Sequence, residues 1–183
     1  MRRLIAALIL ALMAGEPAAA CRIYVPIALE DVRFADVVVI GRVTNYRIIR
    51  DEAFRRRMLS NPNLSEEMRR HYTSGESLLP DFARFEVEVV ERLSGSVPRR
   101  FSVTWDNSTF GEPERMSAGA YLIALRRPSS LLPPLRGPSA YIGPSPDPNS
   151  LTLLQAPCSR PFLFESGSAE AHTVRRLIGT SRR

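Results

Sequence analysis

One stretch, FADVVVIGRVTNY over Phe34–Tyr46, constrains the fold more than any other. Val37 to Ile40 are consecutive β-branched apolar residues. Two heavy atoms on each Cβ stiffen the side chain and favour a pleated strand over a helix. An uninterrupted apolar run this short reads as a strand buried on both faces. Gly41 inside the run predicts a bulge or sharp bend, of the kind that lets a strand coil into a barrel. Asp36–Ile49 is therefore expected to be the first core strand of a small β-barrel.

The later chain supplies partners for that strand. Ala83–Leu93 alternates strictly, with Phe85, Val87 and Val89 on one face and Arg84, Glu86 and Glu88 on the other. That is the pattern of a half-buried strand. Ser94-Gly95-Ser96 reads as a turn, and Pro98–Trp105 as the returning strand of a hairpin, with Phe101, Val103 and Trp105 inward. Gly119–Arg126 and Ser150–Gln155 complete a set of five. A short helix, Ile27–Arg33, is expected before the first strand, and a C-terminal helix, Ala169–Ile178, packs Ala171, Val174 and Ile178 on the barrel. The predicted class is all-β with flanking helices: a five-stranded OB-like Greek-key barrel.

Two segments interrupt this pattern. Residues 51–80 are rich in charge and carry helix signals. Asp51 is a predicted cap and Pro62 a stop, and Ser65-Glu66-Glu67 opens a second helix that ends near Gly75. This is a helical insertion, longer than a hairpin loop needs. Residues 128–149 form a proline-rich loop that cannot be a central strand and is expected to be mobile.

The N-terminus addresses the chain. Arg2 and Arg3 precede an apolar run, Leu4 to Ala14, and Ala18-Ala19-Ala20 supplies small residues for cleavage. The run is too short to span a bilayer, and no second long apolar run follows, so no transmembrane helix is expected. Residues 1–20 read as a signal peptide, leaving one domain over 21–183 that is exported to the periplasm or secreted. Cys21 and Cys158 are the two cysteines of the chain. In an exported protein an even count points to a disulfide. In the chain-entropy model a loop this long contributes roughly 4–5 kcal/mol before strain. A lipid anchor on Cys21 competes with that pairing, although Ala18 stands where lipid-modified precursors usually carry Leu.

Several short motifs together resemble a known family. They are the mature terminus Cys21, the strand ADVVVIGRV (Ala35–Val43), FEVEVVERLSG (Phe85–Gly95), GAYLI (Gly119–Ile123) and CSRP (Cys158–Pro161). This set resembles the netrin-like fold of the tissue inhibitors of metalloproteinases, and more closely the bacterial exported proteins sharing that barrel. The resemblance implies that the free α-amine and carbonyl of Cys21 could chelate the zinc of an extracytoplasmic metalloprotease. The inhibitors carry Cys-x-Cys at their terminus, whereas this chain has Ile23 at the third position.

Candidate chemistry is sparse. His71 and His172 have no partner at metal-ligand spacing, so no metal or cofactor is expected. No nucleophile elbow, phosphate loop or zinc-protease motif is present, and the expectation is a non-enzymatic binding module. Every basic side chain is Arg, in a chain of net charge +6. Arg47, Arg50, Arg55, Arg56, Arg57, Arg69 and Arg70 cluster in or beside the insertion and form a candidate patch for a protein or an envelope polyanion. Export, inward-facing aromatics and the neighbouring acids Asp51, Glu52, Glu66 and Glu67 argue against nucleic acid.

Overall fold

The computed structural model describes residues 25–74, 81–106, 113, 115–137 and 147–180. The expected signal peptide and Cys21 lie outside these residues. Six strands are seen: β1 (Val37–Ile49), β2 (Phe82–Ser94), β3 (Arg100–Trp105), β4 (Ala120–Arg126), β5 (Leu151–Leu153) and β6 (Leu163–Glu165). Three α-helices accompany them: α1 (Glu52–Leu59), α2 (Glu66–Thr73) and α3 (Ala169–Thr180). The expected helix before β1 is a 3₁₀ turn, Leu29–Phe34, beginning two residues later than the sequence suggests.

The strands run β1-β2-β3-β5-β4-β6 across the sheet, and β1 also pairs with β4, closing five strands into a ring. All pairings are antiparallel except β3 with β5. β1 belongs to both sides of the closure, which explains its sequence. Val37 and Val39 face the core inside the ring with Phe85, Val103, Ile123 and Leu125. Val38 and Ile40 face a second core, beneath α3, with Leu122, Phe162, Phe164 and Val174. Both faces of this segment are buried, as four consecutive β-branched residues require. Each such side chain contributes about 1.5–3 kcal/mol through burial. β2 is the contrasting case: Phe85 and Val87 are buried while Glu88 and Glu91 face outward.

Gly41 sits at a register shift between Ile40 and Gly41 on the β1–β2 ladder. A Cβ there would lie 2.5 Å from Val87 Cγ1 and 3.1 Å from the Glu88 carbonyl oxygen. The glycine thus lets β1 bend while β2 packs directly over it. Gly95 has a stronger requirement: its φ is +71°, and a Cβ would fall 2.2 Å from the Asp36 carbonyl oxygen.

Two expectations change. Five strands are expected from the sequence, but the chain continues past Cys158 into β6, which lies on the edge of β4 that β5 leaves uncovered. The described part of the proline-rich loop is packed against the body rather than loose. Arg126 Nη1 donates to the Pro133 carbonyl at 2.6 Å, and Leu135 is buried in the second core. Asp36 holds the start of the loop by accepting from Arg127 N at 2.8 Å and Ser130 Oγ at 3.0 Å. No helix among the described residues is long and apolar enough to cross a membrane.

Candidate binding site

The described part of the insertion, 51–74, forms the two helices expected from its caps, while the expected stop at Gly75 lies outside the described residues. Asp51 Oδ1 accepts from Phe54 N at 2.8 Å, and Ser65 Oγ accepts from Met68 N at 3.2 Å. Each cap satisfies a donor that the first helical turn would leave open. The arginines of the insertion do not form one patch, however. Arg55 is 1% exposed and forks onto Asp81, with Nη1 to Oδ1 at 3.1 Å and Nη2 to Oδ2 at 2.9 Å. Asp81 Oδ1 also accepts from Asp51 N at 3.0 Å. Arg55 is therefore a clasp between α1 and the start of β2, and it leaves the predicted anion-binding group. Sequence reasoning missed this because the partner lies 26 residues away.

The remaining six arginines are divided. Arg50 pairs with Glu52 at 2.6 Å. Arg57 lies over the Phe54 ring at 5.3 Å. Arg69, half-buried, donates to the Leu59 carbonyl at 3.1 Å and ties the two helices together. Arg56 and Arg70 are exposed on α1 and just beyond the middle of α2. Arg47 lies apart from the helices, on β1 opposite Arg84 of β2.

Cys158 is buried, with a left-handed backbone at φ 64°. No cysteine among the described residues is free. Val25 N donates to the Cys158 carbonyl at 2.9 Å, and Val25 forms a parallel bridge with Ser159. The chain four residues after Cys21 is thus fixed against the Cys158 turn. Gly137 packs on the same turn; a Cβ there would meet the Pro157 carbonyl oxygen at 2.2 Å.

Beside this turn is a cleft of about 520 Å³ that the sequence did not reveal. Its cause is the shortness of β5. β5 joins β3 to β4 through only two pairs on each side, and β6 then covers β4 without pairing to β3. The gap opens between Trp105 at the end of β3 and Leu163 of β6. Trp105, Tyr121, Met116 and Leu163 give it an apolar surface, and Arg115, Arg160, Glu165 and Glu170 supply charges of both signs. The aromatic rings are fixed. Trp105 Nε1 donates to Gln155 Oε1 at 3.1 Å, and Tyr121 Oη donates to the Ser117 carbonyl at 2.9 Å. Gln155 Nε2 then donates to the Ser159 carbonyl at 2.7 Å, linking Trp105 to the turn that holds Val25.

The titratable groups named from sequence are spread over the surface. His71 and His172 are exposed on α2 and α3. Glu88 approaches Arg100 at 3.9 Å, Glu91 pairs with Arg175, and Glu86 accepts from Asn45 Nδ2 at 3.1 Å. Among the described residues, no three His, Cys, Asp or Glu side chains are grouped to hold a metal ion. Comparison with family models and with characterised proteins finds no match to this chain.

Proposed function

We propose that the protein is an exported, non-enzymatic binding module for a protein or cell-envelope ligand, built on an OB-like Greek-key barrel with a Cys21–Cys158 staple. The observation that carries the reading is the seam cleft between β3 and β6. A preformed concavity with rigid aromatic walls and a few charged groups at its margin is the usual form of a binding site. Charges of both signs around an apolar floor suit a polypeptide surface better than a polyanion. The barrel reading is supported by the ring order, in which β1 closes against β4 and β3 lies parallel to β5. The staple is supported by Val25, four residues after Cys21 in sequence, whose backbone N donates to the carbonyl of the buried Cys158.

The test blocks the cleft without touching the core. Ser117 is exposed and serves the structure through its backbone carbonyl, so Ser117→Trp should fill the opening and leave the melting temperature unchanged. Envelope proteins and glycans retained by the immobilised mature protein should be lost with this variant. Retention unchanged by the block would remove the cleft from the reading, and turnover of any retained ligand would overturn the non-enzymatic assignment.

A second reading has its own support. The bridge from Val25 to Ser159 anchors the chain at the fourth residue after Cys21, and an inhibitor acting through its terminal α-amine would need an anchor near that terminus. In this reading Cys21 chelates the zinc of an extracytoplasmic metalloprotease. The mature protein would inhibit such an enzyme, and one extra residue before Cys21 would abolish the inhibition. A protease equally inhibited by the extended form would refute it.

A further inference from the structure

A second concavity, of about 330 Å³, lies on β1, β2 and β3, where β1 breaks register between Thr44 and Arg47. Asn45 there adopts a left-handed conformation at φ 53°, which lets the strand bulge and re-aim its side chains. The break sets Arg47 directly opposite Arg84. Like charges facing across a strand pair repel, so the arrangement calls for an anion between or beside them. Asp147 supplies one, pairing with Arg84 Nη2 at 2.7 Å, and Arg84 also lies over the Phe82 ring at 5.8 Å. Arg84 is held from two sides. Arg47 is exposed and has no ion pair or side-chain hydrogen bond among the described residues.

We propose that this pocket binds the carboxylate of an acidic sugar, such as a uronic acid unit in an envelope glycan, with Arg47 and Arg84 as the paired recognition groups. The planar guanidinium fork matches a carboxylate in two-point contact. Charge selects the ligand: Asp147 already answers Arg84, so Arg47 is the lining cation with no ion pair among the described residues, and one such guanidinium suits a single carboxylate rather than a cluster of phosphates. The rest of the pocket has the chemistry of a sugar site. Ser102 offers a hydroxyl, Glu86 accepts from Asn45 and retains acceptor capacity for a sugar hydroxyl, and Tyr46 contributes to the lining. Tyr46 is fixed by donating from its hydroxyl to the Pro113 carbonyl at 2.7 Å. The volume suits one saccharide unit rather than a folded partner. This site is separate from the seam cleft and shares with the binding-module reading only its envelope location.

Calorimetric titration of the mature protein with trigalacturonate tests the proposal, with neutral trigalactose and a tri-glutamate peptide as comparison arms. Trigalacturonate should bind, and Arg47→Ala should weaken it by roughly tenfold or more, as loss of a charge-assisted pair requires. Arg47→Lys should recover only part of that loss, because an ammonium lacks the planar fork. Arg47 is exposed, so its variants should melt with the parent protein. Binding of trigalactose as strong as that of the acid, or binding indifferent to Arg47→Ala, would overturn the site. Tri-glutamate binding as strong as trigalacturonate would overturn the sugar assignment in favour of an acidic peptide. An intact oligomer that does not bind sinks this proposal alone, whereas cleavage of the oligomer would sink the non-enzymatic reading.

Discussion

The Arg55–Asp81 clasp gives the sharpest test of how the insertion is tied to the barrel. Replacing Arg55 by Ala removes the forked partner of the Asp81 carboxylate, which is 3% exposed and keeps the Asp51 amide as a donor. Replacing Asp81 by Ala removes both forked bonds of a guanidinium that is 1% exposed and also removes the acceptor of Asp51 N. Breaking a buried pair from one side costs about 3–5 kcal/mol, because the surviving charge stays desolvated. For a chain of this length that is a fall of roughly 6–20 °C in melting temperature. Stabilities of roughly 5–15 kcal/mol are usual, so most of the single-variant population should still fold in the cold.

The double variant Arg55→Met/Asp81→Leu separates the pair from its surroundings. It removes both charges and fills their volume, leaving the Asp51 amide as the main loss, about 1–3 kcal/mol. The double variant should therefore be more stable than Arg55→Met or Asp81→Leu alone, and the cycle built from those two singles should show a coupling of about 3 kcal/mol or more. Melting followed by far-ultraviolet circular dichroism, with trypsin cleavage at Arg56 and Arg57 as the local probe, reads both effects. If either single variant loses less than about 1 kcal/mol, or if the single losses add in the double, the residues do not act as a buried pair and the clasp is wrong.

Gly41→Ala should cost roughly 1–3 kcal/mol by forcing Val87 aside, and Gly95→Ala more than that, because it combines positive φ with a backbone clash; thermal melts in the opposite order would refute the geometry. Cys158→Ser and addition of reductant should each lower stability, by up to about 4–5 kcal/mol, with no further loss when the two are combined. A melt insensitive to reductant, or a lipid mass on Cys21 in the mature protein, would rule out the staple. Tyr46→Phe should lower stability by only about 0.5–1.5 kcal/mol but weaken ligand binding in the cleft, since the bond it removes anchors Pro113 at the cleft margin; unchanged cleft affinity would show that the tether is incidental.

The sequence was most informative where one residue pattern answered one physical need. Val37–Ile40 could be read as doubly buried because β-branched residues with no alternation leave a strand no solvent face. Phe85 and Val87 identified the inner face of β2 by strict alternation. The caps Asp51 and Ser65 were legible because capping is local. β6 was not: three residues after Pro161 are too few to show a period, and the reason for their placement is the edge of β4, set by a strand forty residues earlier. The Arg55–Asp81 pair was hidden for the same reason. Counting arginines grouped them into a patch, whereas burial divided them among a clasp, an aromatic stack, an interhelix tie and exposed positions. The seam cleft was the least legible feature, since it results from where β5 stops rather than from any motif.

The register brings these long-range features to one end of the ring. Ile48 pairs with Ala83, and Ala83 pairs with Trp105, so the base of the helical insertion shares a row with the tryptophan that walls the cleft. Arg55 closes that base through Asp81, one residue before β2 begins. Tyr46, which lines the smaller pocket, reaches across to Pro113 at the cleft. The bulge that re-aims Arg47 therefore also positions Tyr46, and one irregularity in β1 affects both concavities. The opening stretch of β1 specifies the core, whereas its last residues, from Asn45 to Ile49, carry the connections on which binding at either site would depend.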